Sequence, residues 1–117
     1  MPVRILLVDD EVALLDLLKR YLERLTYSVD ACASPEDAVA KIESEPEPYS
    51  LVLTDLTLPG MNGEDLLRRL REHQPGIKAI ITSGYPHQPR TRGDFFLQKP
   101  FLPKMLADAI SRILKNP

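Results

Sequence analysis

Acidic side chains and one lysine follow several of the short apolar runs in this sequence. Asp9 and Asp10 end the first run, Asp55 ends the third, and Lys99 ends the last one. In an open parallel sheet all strand C-termini lie along one edge, and ligands bind in the crevice there. If the runs are neighbouring strands of such a sheet, the acids and the lysine meet. This combination predicts a site for a divalent cation and a phosphoryl group.

Each aspartate alone has a simple structural explanation, but the three together indicate a binding site. Aspartate is a favoured N-cap, so the pair at 9–10 could simply begin a helix. With Asp55 nearby, like charges about 4 Å apart repel by roughly 4 kcal/mol at an effective dielectric near 20. Such a group either holds a proton or binds a cation, and oxygen ligands favour Mg²⁺.

Apolar runs and amphipathic stretches alternate along the chain. The sequence predicts strands near residues 3–8, 27–32, 50–54, 77–82 and 95–98. It predicts helices near 11–25, 34–44, 62–74 and from 103 onward, with Ser34 and Asn62 as N-caps. This alternation indicates an α/β fold with a doubly wound, five-stranded parallel sheet, forming one domain over residues 1–117.

One connection, between the fourth and fifth predicted strands, departs from the alternation of strands and helices. Residues 84–94 contain two prolines, two arginines and no periodic apolar face. A parallel crossover usually contains a helix, so we expect the fourth helix to be shortened or missing. In that case the apolar residues of the last two strands lose cover on one face, which predicts an exposed apolar patch there.

Composition narrows the function classes. The net charge of −2 gives no general attraction to nucleic acid or to anionic membrane. No apolar run approaches the roughly 20 residues of a membrane span, so no membrane insertion is expected. The single cysteine, Cys32, cannot form an internal disulfide, and we therefore expect a reducing, cytoplasmic location.

At this point the motifs resemble a known family. The sequence is similar to receiver domains of two-component response regulators in Ile5-Leu6-Leu7-Val8-Asp9-Asp10-Glu11, in Asp55-Leu56-Thr57-Leu58-Pro59-Gly60-Met61-Asn62-Gly63, in Thr82-Ser83-Gly84 and in Lys99-Pro100-Phe101. The resemblance implies a flavodoxin-like strand order of 2-1-3-4-5. It also implies a signalling domain that catalyses its own phosphorylation and is not otherwise an enzyme.

The resemblance assigns a role to each matching position. Asp55 is implied as the phosphoacceptor and Lys99 as the group that neutralises developing charge. The implied Mg²⁺ ligands are Asp10 directly, Asp9 mostly through water, Asp55, and Thr57 through its backbone carbonyl.

The resemblance also implies a switch. Ser83 turns inward to bind the phosphoryl group and Phe96 swings in behind it; Ser83 is preferred to Thr82 because Gly84 follows it. The Lys99–Pro100 bond is expected to be cis.

The implied partner is a histidine kinase or a phosphotransfer domain, and the chain could be the receiver of a hybrid sensor kinase. No direct binding of nucleic acid is expected. The thinly covered face of strands four and five would offer a surface for a partner or for a homodimer.

The two histidines, His73 and His87, have no metal-ligand spacing. The charged residues of the predicted third helix are expected on a solvated face with weak ion pairs: Glu64, Arg68, Arg69, Arg71 and Glu72.

Other functions share this fold. A flavodoxin-like cofactor binder would hold phosphate at the first loop, but here that loop is acidic. An aspartate-based phosphohydrolase would need an acid two residues after the nucleophile, where this sequence has Thr57. A pseudo-receiver that docks partners without phosphorylation stays the alternative to a phosphoacceptor.

Overall fold

The computed structural model describes residues 3–115 of the chain. Strands and helices alternate as the sequence predicts, with boundaries within a residue or two of those expected. In chain order the elements are β1 (Arg4–Val8), α1 (Val12–Arg24), β2 (Ser28–Cys32), α2 (Pro35–Ser44), β3 (Leu51–Asp55), α3 (Gly63–His73), β4 (Lys78–Ser83), β5 (Phe95–Gln98) and α4 (Pro103–Lys115).

The strands form one parallel five-stranded sheet in the order β2-β1-β3-β4-β5, which confirms the predicted topology. The order changes direction at β1, because β2 lies on one side of it and β3 on the other. Ligands of doubly wound sheets bind at such a switch point. The first acidic pair directly follows β1, so the topology itself places these acids in the crevice.

Two helices begin at the predicted capping residues. The side chain of Ser34 accepts a hydrogen bond from the backbone N–H of Asp37 at 3.1 Å. The side chain of Asn62 accepts one from Asp65 at 2.9 Å. Each cap satisfies a backbone donor that the first helical turn leaves free.

The sheet divides the core into two layers. On one face, α2 and α3 bury residues such as Ile42 and Leu66 against Leu6 and Ile81. On the other face, α1 and α4 bury residues such as Leu22 and Ile110 against the sheet. With both faces covered, the central strands are apolar throughout, as parallel strands usually are.

Residues 3–115 contain four helices, so the expectation of a shortened or missing fourth helix is not borne out; the fourth helix in chain order, α4, follows β5 and does not lie between β4 and β5. This helix, α4, has 13 residues and buries Leu106, Ile110 and Ile113. Its apolar stripe recurs at helical spacing and packs in the same core layer as α1.

Residues 84–94, which we call the strap, connect β4 to β5 through turns and irregular backbone. The strap lies against α3. Arg71 of α3 binds Asp94 through two hydrogen bonds of 3.0 and 2.7 Å. Arg90 binds Asp65 at 3.3 Å. The expected exposed patch is therefore not found here: Phe95, Phe96 and Leu97 of β5 are all partly buried.

Candidate functional site

The register of the sheet brings the predicted acids and the lysine to one edge. Val8 pairs with Thr54, so Asp9 and Asp55 each lie one residue beyond this pair on neighbouring strands. Lys99 follows β5, and its backbone N–H donates to the carbonyl of Ser83 at 2.7 Å. The Lys99–Pro100 peptide bond is cis, as the resemblance implied.

Lys99 joins two of the carboxylates. Its ammonium Nζ lies 3.1 Å from Oδ2 of Asp9 and 3.3 Å from Oδ2 of Asp55. These side chains are little exposed: 4% for Asp9, 12% for Asp55 and 22% for Lys99. Charges shielded from water attract each other more strongly than surface charges do, and removing one partner leaves an uncompensated buried charge.

Asp9 and Asp10 have different surroundings although they are adjacent. Asp9 is buried, and its second oxygen, Oδ1, accepts a hydrogen bond from the backbone N–H of Glu11 at 2.9 Å. Asp10 is exposed. Asp9 is therefore held in place at the start of α1, whereas Asp10 is open to a ligand from solvent.

The environment of Asp55 favours its neutral form. Burial is the largest influence and raises the pKa of Asp55 above its usual range, and the charge of Asp9 raises it further. The charge of Lys99 and the N–H of Thr57, 3.4 Å from Oδ1, act in the opposite direction. Burial alone would lower the pKa of Lys99, but its hydrogen bond to Asp9 and the two negative charges raise it above the ordinary value.

A glycine at the start of α3, Gly63, packs directly against the backbone that follows Asp55. The N–H of Gly63 donates to the carbonyl of Leu56 at 2.7 Å. A Cβ at position 63 would overlap the backbone oxygen of Asp55. Only glycine lets the start of α3 come this close to the end of β3.

The predicted hydroxyl and switch residues lie toward the same end of the sheet, and within residues 3–115 no hydrogen bond joins either of them to the acids. Ser83, the last residue of β4, is buried, and its Oγ accepts a hydrogen bond from the N–H of Tyr85 at 3.1 Å. Phe96 in β5 is partly buried, and its ring packs edge-on against His87 with centroids 6.2 Å apart.

Sequence reasoning was wrong about Glu64. It was expected on a solvated face, but it is 4% exposed, and its Oε2 accepts hydrogen bonds from Nε2 of His87 at 2.7 Å and from the N–H of Arg90 at 2.8 Å. No periodic pattern could reveal this. The only signal was that the strap has few apolar side chains to bury and so needs a polar anchor on a neighbouring element.

The acidic cluster fits a hard divalent cation. Asp9, Asp10 and Asp55 each offer a carboxylate oxygen, and these oxygens lie within 4.8 Å of one another. Lys99 alone does not balance these negative charges. Oxygen donors with an open side toward solvent suit Mg²⁺, which keeps several waters and is bound through one or two carboxylates.

An apolar groove borders the acids. It lies between α1 and the start of α4, and its lining includes Leu14, Leu17, Phe101, Pro103 and Lys99. Leu17 is 58% exposed. Such a surface beside a charged site is typical of a protein-binding face.

None of the helices within residues 3–115 has the length and apolar character needed to cross a membrane.

Comparison with known proteins agrees with this geometry. The family model "Response regulator receiver domain" matches residues 5–111. The chain is 32% identical over 119 residues to the transcriptional regulatory protein ResD of Bacillus subtilis, covering 97% of this chain and 48% of ResD. It is 35% identical over 118 residues to the sensor kinase CckA of Brucella abortus, covering 96% of this chain and 12% of CckA. This chain thus spans about half of ResD and a small part of CckA.

A solved structure agrees as well. The CheY-like response regulator receiver domain protein of Methanospirillum hungatei superposes with a TM-score of 0.86 at 34% identity, over 97% of this chain and 94% of that one. The matches of sequence and of fold both cover almost the whole chain. The chain therefore belongs to the response regulator receiver domains of two-component systems.

Proposed function

We propose that this domain accepts a phosphoryl group on Asp55 from the phosphohistidine of a histidine kinase or a phosphotransfer domain and changes conformation as a result. The observation that carries the proposal is the position of Lys99, whose ammonium lies within 3.3 Å of both Asp9 and Asp55. The lysine favours the ionised Asp55 carboxylate, which is the nucleophilic form. It also offsets negative charge that gathers there in the transition state.

The chemistry is an in-line displacement at phosphorus. An oxygen of the Asp55 carboxylate attacks, an O–P bond forms, and the P–N bond of the phosphohistidine breaks. The electron pair of that bond leaves with the imidazole, which takes up a proton. The product is an acyl phosphate, a known kind of aspartate intermediate.

We propose Mg²⁺ as the required cation, with Asp10 and Asp55 as its main carboxylate ligands. A bound Mg²⁺ would neutralise charge on the transferring phosphoryl oxygens. Asp9 is already paired with Lys99, and this supports an indirect role for it. Addition of Mg²⁺ should shift the backbone amide resonances of residues 9–11 and 55–57. Shifts confined to other residues, or unchanged affinity in Asp10→Asn, would contradict this ligand set.

The apolar groove beside Lys99 supports docking of the phosphodonor by a histidine-bearing helix. A donor must bring its histidine to Asp55, and the exposed Leu17 lines the same groove as Lys99, which binds Asp55. Leu17→Arg should slow transfer from a phosphorylated kinase but not phosphorylation by acetyl phosphate, which needs no docking surface. Equal slowing of both reactions would indicate damage to the site itself.

Incubation with acetyl phosphate and Mg²⁺, followed by intact-mass measurement, tests the proposed acceptor. We expect one added phosphoryl group that hydroxylamine removes, as it does from an acyl phosphate. Asp55→Asn should not gain the group. The matched control is Asp108→Asn, the same chemical change at an exposed residue of α4, which should react as the wild type does.

The alternative is a pseudo-receiver that binds partners without phosphorylation. It would be favoured if the wild-type protein gained no phosphoryl group with Mg²⁺ present, or if Asp55→Asn were modified as fully as the wild type. We further propose that the domain has no catalytic turnover beyond its own phosphorylation and that it acts in the cytoplasm. A homodimer through the face of β4 and β5 stays a prediction, to be tested by sedimentation velocity before and after phosphorylation.

A further inference from the structure

The strap, residues 84–94, is attached to the domain at points that serve different parts of the site. At its start, the N–H of Tyr85 donates to Oγ of Ser83 at 3.1 Å. In its middle, His87 and Arg90 bind Glu64 of α3. At its end, Asp94 binds Arg71. The strap therefore connects the hydroxyl at the end of β4 with the first turn of α3.

The attachment to Glu64 is unusual because it is made by a buried carboxylate. The Glu64 side chain is 2% exposed, and a single oxygen, Oε2, accepts both hydrogen bonds from the strap, at 2.7 and 2.8 Å. A buried charge is costly unless it is paired or hydrogen-bonded. Within residues 3–115 both hydrogen-bond partners of this oxygen belong to the strap, so opening of the strap would expose Glu64 or leave it unsatisfied.

His87 links this carboxylate to Phe96. One edge of the imidazole binds Glu64, and the ring packs at 66° to the Phe96 ring. Phe96 lies in β5 opposite Ile81 of β4. A displacement of Phe96 would therefore remove the aromatic contact that holds His87 in position to bind Glu64.

Two prolines restrict the backbone of the strap between these contacts. Tyr85 and His87 are separated only by Pro86, and Pro89 precedes Arg90. Proline fixes its own backbone angle φ and restricts the residue before it. If the Ser83 hydroxyl turns toward Asp55, it gives up its hydrogen bond from the N–H of Tyr85, and Pro86 limits how the backbone between Tyr85 and His87 can rearrange.

We propose that Glu64, His87 and the backbone of Arg90 form a latch that holds the strap closed in the unphosphorylated domain and that phosphorylation of Asp55 opens it. The proposal rests on the proposed function, since it uses the movement of Ser83 and Phe96 toward a phosphoryl group. Glu64 and His87 are positioning residues: they contact no reacting atom and act through the strap. The latch stabilises the unphosphorylated conformation, so weakening it favours the phosphorylated one.

Beryllium fluoride with Mg²⁺ serves as the probe of the phosphorylated state, and its binding is followed by the amide resonances of residues 55–57. His87→Ala removes both the hydrogen bond to Glu64 and the contact with Phe96. We expect it to bind beryllium fluoride about fivefold more tightly than the wild type, a shift within the usual range for coupling between two sites. Glu64→Gln, which keeps the size of the side chain, should act in the same direction.

The matched control is Arg90→Ala. The Arg90 side chain is 60% exposed, and its one ion pair within the described part of the chain is with Asp65 at 3.3 Å. The contact with Glu64 is made by the backbone N–H and remains in the variant. Its affinity for beryllium fluoride should stay within about twofold of the wild type. A rise as large as that of His87→Ala would show that general loosening of the strap, not the latch, controls the affinity.

Amide hydrogen exchange at Arg90 reports on the latch directly. In the wild type the Arg90 N–H should exchange slowly, and beryllium fluoride should accelerate it. His87→Ala should show faster exchange without beryllium fluoride. Equal affinities in all variants with unchanged Arg90 exchange would overturn the latch alone, since the site would still bind. Absence of beryllium fluoride binding in the wild type would overturn the proposed function, and the coupling with it.

Discussion

Replacement of Lys99 by methionine should destabilise the domain in a pH-dependent way. Methionine keeps the length and much of the volume of the side chain but removes the charge. Asp9 and Asp55, with side chains 4% and 12% exposed, are then left without their shared cation. Removing one partner of a buried ion pair typically costs about 3–5 kcal/mol. We expect the lower end, about 3 kcal/mol at neutral pH, because the site is open to solvent on the side of Asp10.

The pH dependence follows from the pKa of Asp55. Burial already raises this pKa in the wild type, and Lys99 opposes the rise, so the pKa should rise further in Lys99→Met. A carboxyl group with a pKa raised by folding favours the native state at low pH and loses that contribution as the pH rises through the folded pKa. The deficit of the variant should therefore be full at neutral pH and should shrink as the pH falls through the raised pKa of Asp55, where this carboxyl group takes up a proton.

Urea unfolding at fixed ionic strength measures the effect, with stabilities compared at pH 7 and pH 4. The control is Lys104→Met, the same change at an exposed lysine in the first turn of α4, expected to stay within about 0.5 kcal/mol. Added Mg²⁺ should restore part of the stability of Lys99→Met by supplying a cation to the acids. An equal deficit at both pH values, or a variant no less stable than the control, would refute the electrostatic reasoning.

Three further predictions concern other parts of the chain. Burial raises the pKa of Cys32 to about 11, so less of this thiol is ionised in the folded protein. The smaller thiolate fraction alone should make its alkylation at pH 8 about 100-fold slower in the native than in the unfolded chain. Native and unfolded alkylation rates within about threefold of each other would contradict this burial. Gly63→Ala should cost about 1–3 kcal/mol of unfolding free energy, because its Cβ would overlap the Asp55 carbonyl, whereas Gly76→Ala meets no atom within 4 Å and should be nearly neutral. Tyr85 is 80% exposed beside the site, and Tyr85→Ala should shorten the lifetime of the acyl phosphate by admitting water; an unchanged rate of dephosphorylation, measured by intact mass over time, would exclude this shielding role.

Most of the fold could be predicted from the sequence because its signals are local. Alternating apolar runs and helical stripes depend on residues two to four positions apart, and Ser34 and Asn62 cap helices through bonds that span three residues. The acids and the lysine could be placed together for a related reason. In a parallel sheet every strand ends at the same edge, so position along the chain alone brings Asp9, Asp55 and Lys99 to one site.

Contacts between distant segments were decided only by the tertiary structure. Glu64 and His87 are 23 positions apart, and nothing around either residue indicates the other. The lack of a periodic apolar face at residues 84–94 indicated that this connection contains no ordinary crossover helix. It could not show that a buried carboxylate on α3 would anchor the segment. Likewise, the sequence gives Asp9 and Asp10 the same chemistry, whereas packing buries one against Lys99 and leaves the other exposed. Burial depends on which surfaces meet after the chain has folded, and that is a property of the assembled layers, not of the local pattern.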